Sequence, residues 1–165
     1  MNNEMQGIAV KAKIKKNAKV ELRLTGRCMD PLLCAGDIAE VIDAEEYCVG
    51  NLYLFTLANG ALAVHRLVLI NKDLLLMKGD RTQKYEIISK RDIIGVVNRV
   101  ILKGKHNWCV ITPGKVSKRV VPWASRQCMF DKHVTLYHKI LYRICLRINI
   151  WYGYSKRWLM VKLSS

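Results

Sequence analysis

The 165-residue sequence contains no stretch of about 18 consecutive apolar residues, the length that a membrane-spanning helix requires. The N-terminal region also lacks the apolar segment and small-residue cleavage site of a secretory signal peptide. The six cysteines form no C-x-x-C pair and have no zinc-type spacing with histidine, so we expect reduced thiols and neither a metal nor another cofactor. These absences predict a cytoplasmic protein.

Acidic residues are nearly missing from the C-terminal part of the chain. Up to Val100 there are 15 basic and 12 acidic residues, whereas the remainder has 13 basic residues and Asp131 as its one acid. Such a one-sided charge predicts an anionic partner, such as lipid headgroups or an acidic peptide. Nucleic acid is the least favoured partner, because no binding motif accompanies the charge and no helix-turn-helix precedes the core.

Helical periodicity is weak between Lys19 and Leu102, and short β-branched runs alternate with Gly, Asp and Asn. This pattern is typical of many short strands and predicts a mainly β, barrel-like domain. The predicted strands cover Val20 to Thr25, Asp37 to Ile42, Asn51 to Leu57, Ala61 to Ile70, Leu74 to Lys78, and Ile93 to Leu102. The fourth and fifth are expected to form a hairpin across Asn71-Lys72.

The chain divides into an N-terminal basic extension (1–18), a β core (19–104) and a basic C-terminal extension (105–165), with Pro113 and Pro122 marking the change of pattern. From Tyr137 onwards the spacing of apolar and basic residues predicts an amphipathic helix with a basic face. Its apolar positions are Tyr137, Ile140, Leu141, Ile144, Ile148 and Trp151, and its basic ones are Lys139, Arg143 and Arg147.

Three functions for this helix stay open. It packs on the β domain with a solvated basic face, it binds a partner protein or acidic peptide, or it lies on a membrane surface. The last alternative is suggested by aromatic residues that interleave with Arg and Lys, as in interfacial helices; they are Trp151, Tyr152, Tyr154 and Trp158.

Three short motifs carry residues with chemical function. They are Thr25-Gly26-Arg27-Cys28-Met29-Asp30-Pro31 with Gly36-Asp37, then Val64-His65-Arg66, then Lys78-Gly79-Asp80. They supply a thiol on a glycine turn, a histidine on a strand, and an acid on a second glycine turn. A nucleophile, a base and an orienting acid are the minimum set for acyl transfer.

In order and approximate spacing, these motifs resemble the signal peptidase I and LexA superfamily. That family has G-x-S-M-x-P, then G-D, a strand that carries the base, K-G-D, and a final strand like Ile94-Gly95-Val96-Val97. The resemblance covers about half the chain and implies a partly closed β barrel core. His65 stands where bacterial members of the family have their catalytic lysine. In this respect the sequence resembles the archaeal and endoplasmic-reticulum branch, which uses Ser, His and Asp.

By this resemblance Cys28 is the nucleophile in place of serine, His65 the base and Asp80 the orienting acid, with Glu86 as a competing acid. The turn around Cys28 would bind substrate and the oxyanion; its residues are Thr25, Gly26, Arg27 and Met29. The backbone N–H of Cys28 and the Thr25 hydroxyl are the expected oxyanion donors. Asp37 is interpreted as a residue that stabilises its turn.

The resemblance implies a peptidase that cleaves a leader or precursor peptide in the cytosol through a Cys28 thioester, at most peripherally attached to the inner membrane face. No N-terminal membrane anchor is recognised, so we do not expect removal of signal peptides from exported proteins. The alternative is a catalytically inactive peptide-binding subunit that keeps the fold and assists peptide maturation. A basic structural protein that associates with a membrane or with nucleic acid is the third class.

Overall fold

The computed structural model describes residues 3–16, 19–82, 84–110, 122–123 and 136–163. Pro113, at which the change of sequence pattern was expected, lies outside the described residues. In chain order the helices and strands are α1 (Asn3–Lys15), β1 (Val20–Arg23), β2 (Ile38–Ile42), β3 (Leu52–Thr56), β4 (Leu62–Asn71), β5 (Leu74–Lys78), β6 (Tyr85–Ser89), a 3-10 helix (Lys90–Asp92), β7 (Ile93–Ile101), β8 (Trp108–Val110) and α2 (Leu136–Leu163).

The eight strands found in the described ranges form one antiparallel sheet in the order β1-β2-β7-β3-β4-β5-β6, with β8 paired to β7. The predicted hairpin between β4 and β5 is confirmed, and Lys72 adopts a positive φ of 53° at its turn. The mainly β fold with a C-terminal helix is confirmed. The described strands form an open sheet, however, and the predicted partly closed barrel is not observed.

The sheet buries side chains on both faces because neighbouring residues of a strand point to opposite sides. On β3, Leu52 and Leu54 join one cluster, while Tyr53 and Phe55 join another. The first cluster also contains Met29 from the turn that follows β1. This alternation gives the sheet two cores and places the Cys28 turn against the first.

Helix α1 packs on the first cluster through Val10 and the fully buried Ile14. At Gly7 an added Cβ would lie 3.1 Å from the Thr56 hydroxyl, so the helix approaches β3 closely. The sequence predicted only a basic extension here. The three contacts fall on one side of a helix, but they are too few to produce a recognisable apolar stripe.

Helix α2 confirms the predicted C-terminal helix, but its buried face differs from the predicted apolar one. Cys145, Gly153 and Met160 are buried, whereas Ile144 and Trp151 are exposed. The side chains of the predicted apolar positions Tyr137, Ile140 and Leu141 lie outside the described ones. None of the helices in the described ranges combines the length and apolar character needed to cross a bilayer.

Candidate active site

Cys28 lies in the turn after β1, and this turn is fixed against the turn that follows β5. The Arg81 N–H donates a hydrogen bond of 2.9 Å to the Cys28 carbonyl. Gly79 leaves no room for a side chain, because an added Cβ would lie 2.8 Å from the same carbonyl oxygen. Beneath the second turn, the buried Lys78 Nζ donates to the Thr82 carbonyl at 2.6 Å. The Lys-Gly-Asp motif therefore supports the Cys28 turn.

His65 lies on β4 and is buried beside the Cys28 turn. Its Nδ1 lies 2.8 Å from the Glu86 Oε2, and its ring makes an edge contact with Phe55 at a centroid distance of 5.6 Å. Because Nδ1 is engaged by Glu86, Nε2 is the ring nitrogen left for Cys28. The Cys28 Sγ lies 4.0 Å from the carbonyl oxygen of Val64, the residue before the histidine.

The surroundings of His65 favour its protonated form. Burial lowers the pKa of the imidazole, but hydrogen bonds with Cys28 and Glu86, together with the charges of these groups, raise it to about 9. An imidazole with this pKa carries a proton at neutral pH. The histidine is therefore prepared to donate a proton and to stabilise a neighbouring anion.

Asp80, the predicted orienting acid, pairs with Arg66 instead of His65. Its Oδ1 and Oδ2 accept hydrogen bonds of 2.8 and 2.6 Å from the Arg66 guanidinium, which also donates to the Gly50 carbonyl at 2.6 Å. Arg66 follows His65 on β4 and so points to the opposite face of the sheet. The carboxylate in contact with the imidazole is that of Glu86, the competing acid of the sequence interpretation.

A groove of about 530 Å³ opens beside the thiol and the imidazole. Its walls are mostly apolar and come from the end of β1, the Cys28 turn and the first half of β4; they include Leu22, Leu24, Cys28, Met29, Leu62 and His65. Among the described strands β1 pairs only with β2, and β5 begins to pair with β4 at Arg66. Two strand edges without a described strand partner therefore border this groove.

The other predicted substrate-binding residues surround the same groove. Thr25 and Gly26 line it and are exposed, and an added Cβ on Gly26 would lie 3.8 Å from the Cys28 Sγ. Met29 is buried in its floor. Arg27 is exposed and donates to Asp30 at 3.2 Å. In the described part of the chain the Cys28 N–H donates to no protein acceptor, which leaves it available for the predicted oxyanion role.

Asp37, interpreted as a turn residue, connects the turn after β1 to α2. Its carboxylate accepts from the Cys34 and Lys103 backbone N–H groups at 2.8 Å each, and from both terminal nitrogens of Arg157 at 2.6 and 3.1 Å. Burial raises the pKa of Asp37, but these hydrogen bonds and the Arg157 charge hold it below its ordinary value.

Sequence reasoning missed the roles of Arg66 and Arg157. A basic residue inside a predicted strand, directly after the candidate histidine, was an available signal for Arg66. Arg157 lies in a segment rich in basic residues, and nothing in its local pattern distinguishes it from the solvated ones.

The described residues contain no group of three or more His, Cys, Asp or Glu side chains placed to hold a metal ion. No protein-family model matches the chain, and no curated protein is significantly similar to it. The arrangement of Cys28, His65 and Glu86 is therefore interpreted from its own geometry.

Proposed function

We propose that the protein is a cysteine endopeptidase of the signal peptidase I and LexA type that cleaves a leader or precursor peptide in the cytoplasm. The observation that supports this most directly is the series Cys28, His65, Glu86, whose first two members line an open groove. In this proposal Glu86 takes the orienting role that the sequence interpretation gave to Asp80. No metal or organic cofactor takes part.

The raised pKa of His65 favours a mechanism in which Cys28 and His65 act as thiolate and imidazolium. The thiolate attacks the carbonyl carbon of the scissile bond, and the oxyanion forms near the Cys28 N–H and Thr25. As the C–N bond breaks, imidazolium donates its proton to the leaving amine and a thioester remains. Neutral imidazole then takes a proton from water, whose oxygen attacks the thioester and releases the acid and the thiolate.

Glu86 supports both halves of this cycle through its 2.8 Å contact with His65 Nδ1. It holds the imidazole in one orientation, and its charge stabilises the imidazolium form. Histidine is thus the acid in the first half and the base in the second.

The substrate in this proposal is an extended peptide. The edges of β1 and of the first half of β4, which have no partner among the described strands, offer backbone hydrogen bonds on two sides of the groove. The apolar walls accept apolar side chains of the peptide, and the exposed Arg23 and Arg27 add positive charge beside them.

The competing proposal is an inactive peptide-binding subunit with the same groove. It is favoured by the groove itself, whose apolar walls lie between two strand edges that have no described strand partner and can hold an extended peptide. Binding between two strand edges requires no reactive sulfur. The two proposals differ only in the state of Cys28.

The first experiment measures the rate of Cys28 alkylation by iodoacetamide against pH, by peptide mass spectrometry, in the parent and in His65→Ala. The peptidase proposal expects fast alkylation that persists below pH 7 in the parent and shifts to higher pH without the histidine. Alkylation with the same pH dependence in both proteins would favour the binding subunit.

The second experiment measures cleavage of a mixed decapeptide library by the parent and by Cys28→Ala, with mass spectrometry of the products. We expect new termini only with the parent. A Cys28→Ala protein that retains peptides as tightly as the parent, while the parent cleaves none, would establish the binding subunit.

A further inference from the structure

Helix α2 exposes a row of large apolar side chains on the face opposite its core contacts. We call these five residues the aromatic stripe: Ile144, Trp151, Tyr154, Trp158 and Val161. Successive members are separated by seven, three, four and three positions, so they lie on one side of the helix. Trp151 is 72% exposed, Tyr154 63% and Trp158 59%. Residues of this size rarely remain so accessible on a soluble surface.

The stripe is held facing outward by the contacts of the opposite face. Arg157 pairs with the buried Asp37 at 2.6 Å, and Met160 packs in the first core cluster. Gly153 approaches Pro31 so closely that an added Cβ would lie 2.9 Å from its ring. These contacts fix the rotation of the helix, so the stripe exists before any partner binds.

The charge of α2 is complementary to an anionic surface. Its 28 residues contain no Asp or Glu, and their basic members are Lys139, Arg143, Arg147, Lys156, Arg157 and Lys162. Arg143 and Arg147 are exposed. The Lys162 Nζ lies 4.2 Å from the Trp158 ring centroid, which places a cation directly against the stripe.

We propose that α2 lies flat in the headgroup region of a membrane that contains anionic lipids, with the aromatic stripe inserted among the lipids. Trp and Tyr rings prefer this depth because an apolar body and a polar tip are both accommodated there. The basic side chains meet lipid phosphates, and no acidic residue of the helix opposes them. Because Gly153 contacts Pro31, this attachment also holds the Cys28 turn near the membrane surface.

The test uses the full chain and sedimentation with vesicles, either pure phosphatidylcholine or equal parts phosphatidylcholine and phosphatidylglycerol. The parent is expected to bind the mixed vesicles at least about tenfold more tightly than the neutral ones. Its tryptophan emission should shift to the blue on binding. The Trp151→Gln/Trp158→Gln variant should bind the mixed vesicles at least about tenfold more weakly, since it loses most of the inserted apolar area.

A matched control removes two exposed apolar side chains elsewhere, in Leu74→Gln/Ile87→Gln on β5 and β6. This control and a Cys28→Ser protein should both bind the vesicles as the parent does. Binding by Cys28→Ser would show that membrane attachment can be tested independently of the peptidase proposal. Circular dichroism confirms that each variant is folded.

Three results would overturn the proposal. The first is equal binding by the parent and the Trp151→Gln/Trp158→Gln variant, which would indicate nonspecific attraction by charge alone. The second is loss of binding only in the β5–β6 control. The third is no vesicle binding by the parent with self-association that the tryptophan variant abolishes in sedimentation equilibrium, which would assign the stripe to a second copy of this chain.

Discussion

Two consecutive residues of β4, His65 and Arg66, each pair with a carboxylate, yet the two pairs differ in their access to solvent. The side chains of Arg66 and Asp80 are each only 2% exposed, and they form a two-point pair inside the protein. The side chain of His65 is 8% exposed and lines the groove, and that of its partner Glu86 is 23% exposed. Strand alternation separates the pairs onto two faces of the sheet.

The comparison indicates which carboxylate has a structural role. The Arg66–Asp80 pair connects β4 to the turn that supports Cys28, and its charges are satisfied within the protein. The His65–Glu86 pair has an imidazole nitrogen left to act on a ligand. An acid in the expected motif can therefore fix the position of a site, while an acid outside the motif contacts the histidine.

The largest expected effect is on stability, from Asp80→Asn. This substitution leaves the buried Arg66 without its counter-charge, so we expect the free energy of unfolding to fall by about 3 kcal/mol or more. Urea denaturation measures it. Arg66→Met/Asp80→Asn should recover part of the loss because no charge is left buried alone, and a double variant as unstable as Asp80→Asn would contradict this account.

Glu86→Gln should change reactivity more than stability. Loss of the carboxylate charge makes imidazolium less favourable, so we expect Cys28 alkylation at pH 6.5 to slow by about tenfold, which corresponds to one pKa unit at His65. The free energy of unfolding should fall by only about 1 kcal/mol, because the pair is partly solvated. Glu45→Gln, an exposed acid remote from this pair in the sequence, serves as the control. Unchanged alkylation in Glu86→Gln would remove Glu86 from the site.

The smallest effect is a pH dependence of stability. The folded pKa of His65 is raised from 6.5 to about 9, so its stabilising contribution is complete below about pH 6.5 and is lost as pH rises through 9. Glu86→Gln should weaken this loss by about 1 kcal/mol. The free energy of unfolding of the parent and of Glu86→Gln is measured at pH 6.5 and at pH 9.5. Because both proteins keep Cys28, the difference between the two proteins at each pH reports the contribution of Glu86. If the stability difference between the two proteins grew as the pH rises, this account of the His65–Glu86 pair would be wrong.

The central strands could be predicted because glycine turns bound them and β-branched residues fill them. β7, for example, was expected from Ile93 to Leu102 and extends from Ile93 to Ile101. Helix α1 and strand β6 were missed. α1 makes too few core contacts for an apolar stripe, and β6 exposes Tyr85 and Ile87, so its sequence does not alternate as a half-buried strand does.

The order of the motifs predicted that Cys28 and His65 belong to one site, and the structure brings them together. The choice between Asp80 and Glu86 depended on the partner of Arg66, which is decided by the packing of β4 and β5 and not by local spacing. Sequence periodicity alone could not predict the exposed aromatic stripe either. The predicted apolar face of α2 contained both buried and exposed positions.

The hydrogen bond from Arg81 to the Cys28 carbonyl has a consequence for biosynthesis. Cys28 leaves the ribosome well before the turn that supports it and before Glu86, which arrives with the next strand. A nascent chain that ends before β5 therefore carries the thiol without its support, and one that ends before β6 still lacks Glu86. The arrangement delays the assembly of Cys28, His65 and Glu86 until most of the described sheet has been synthesised.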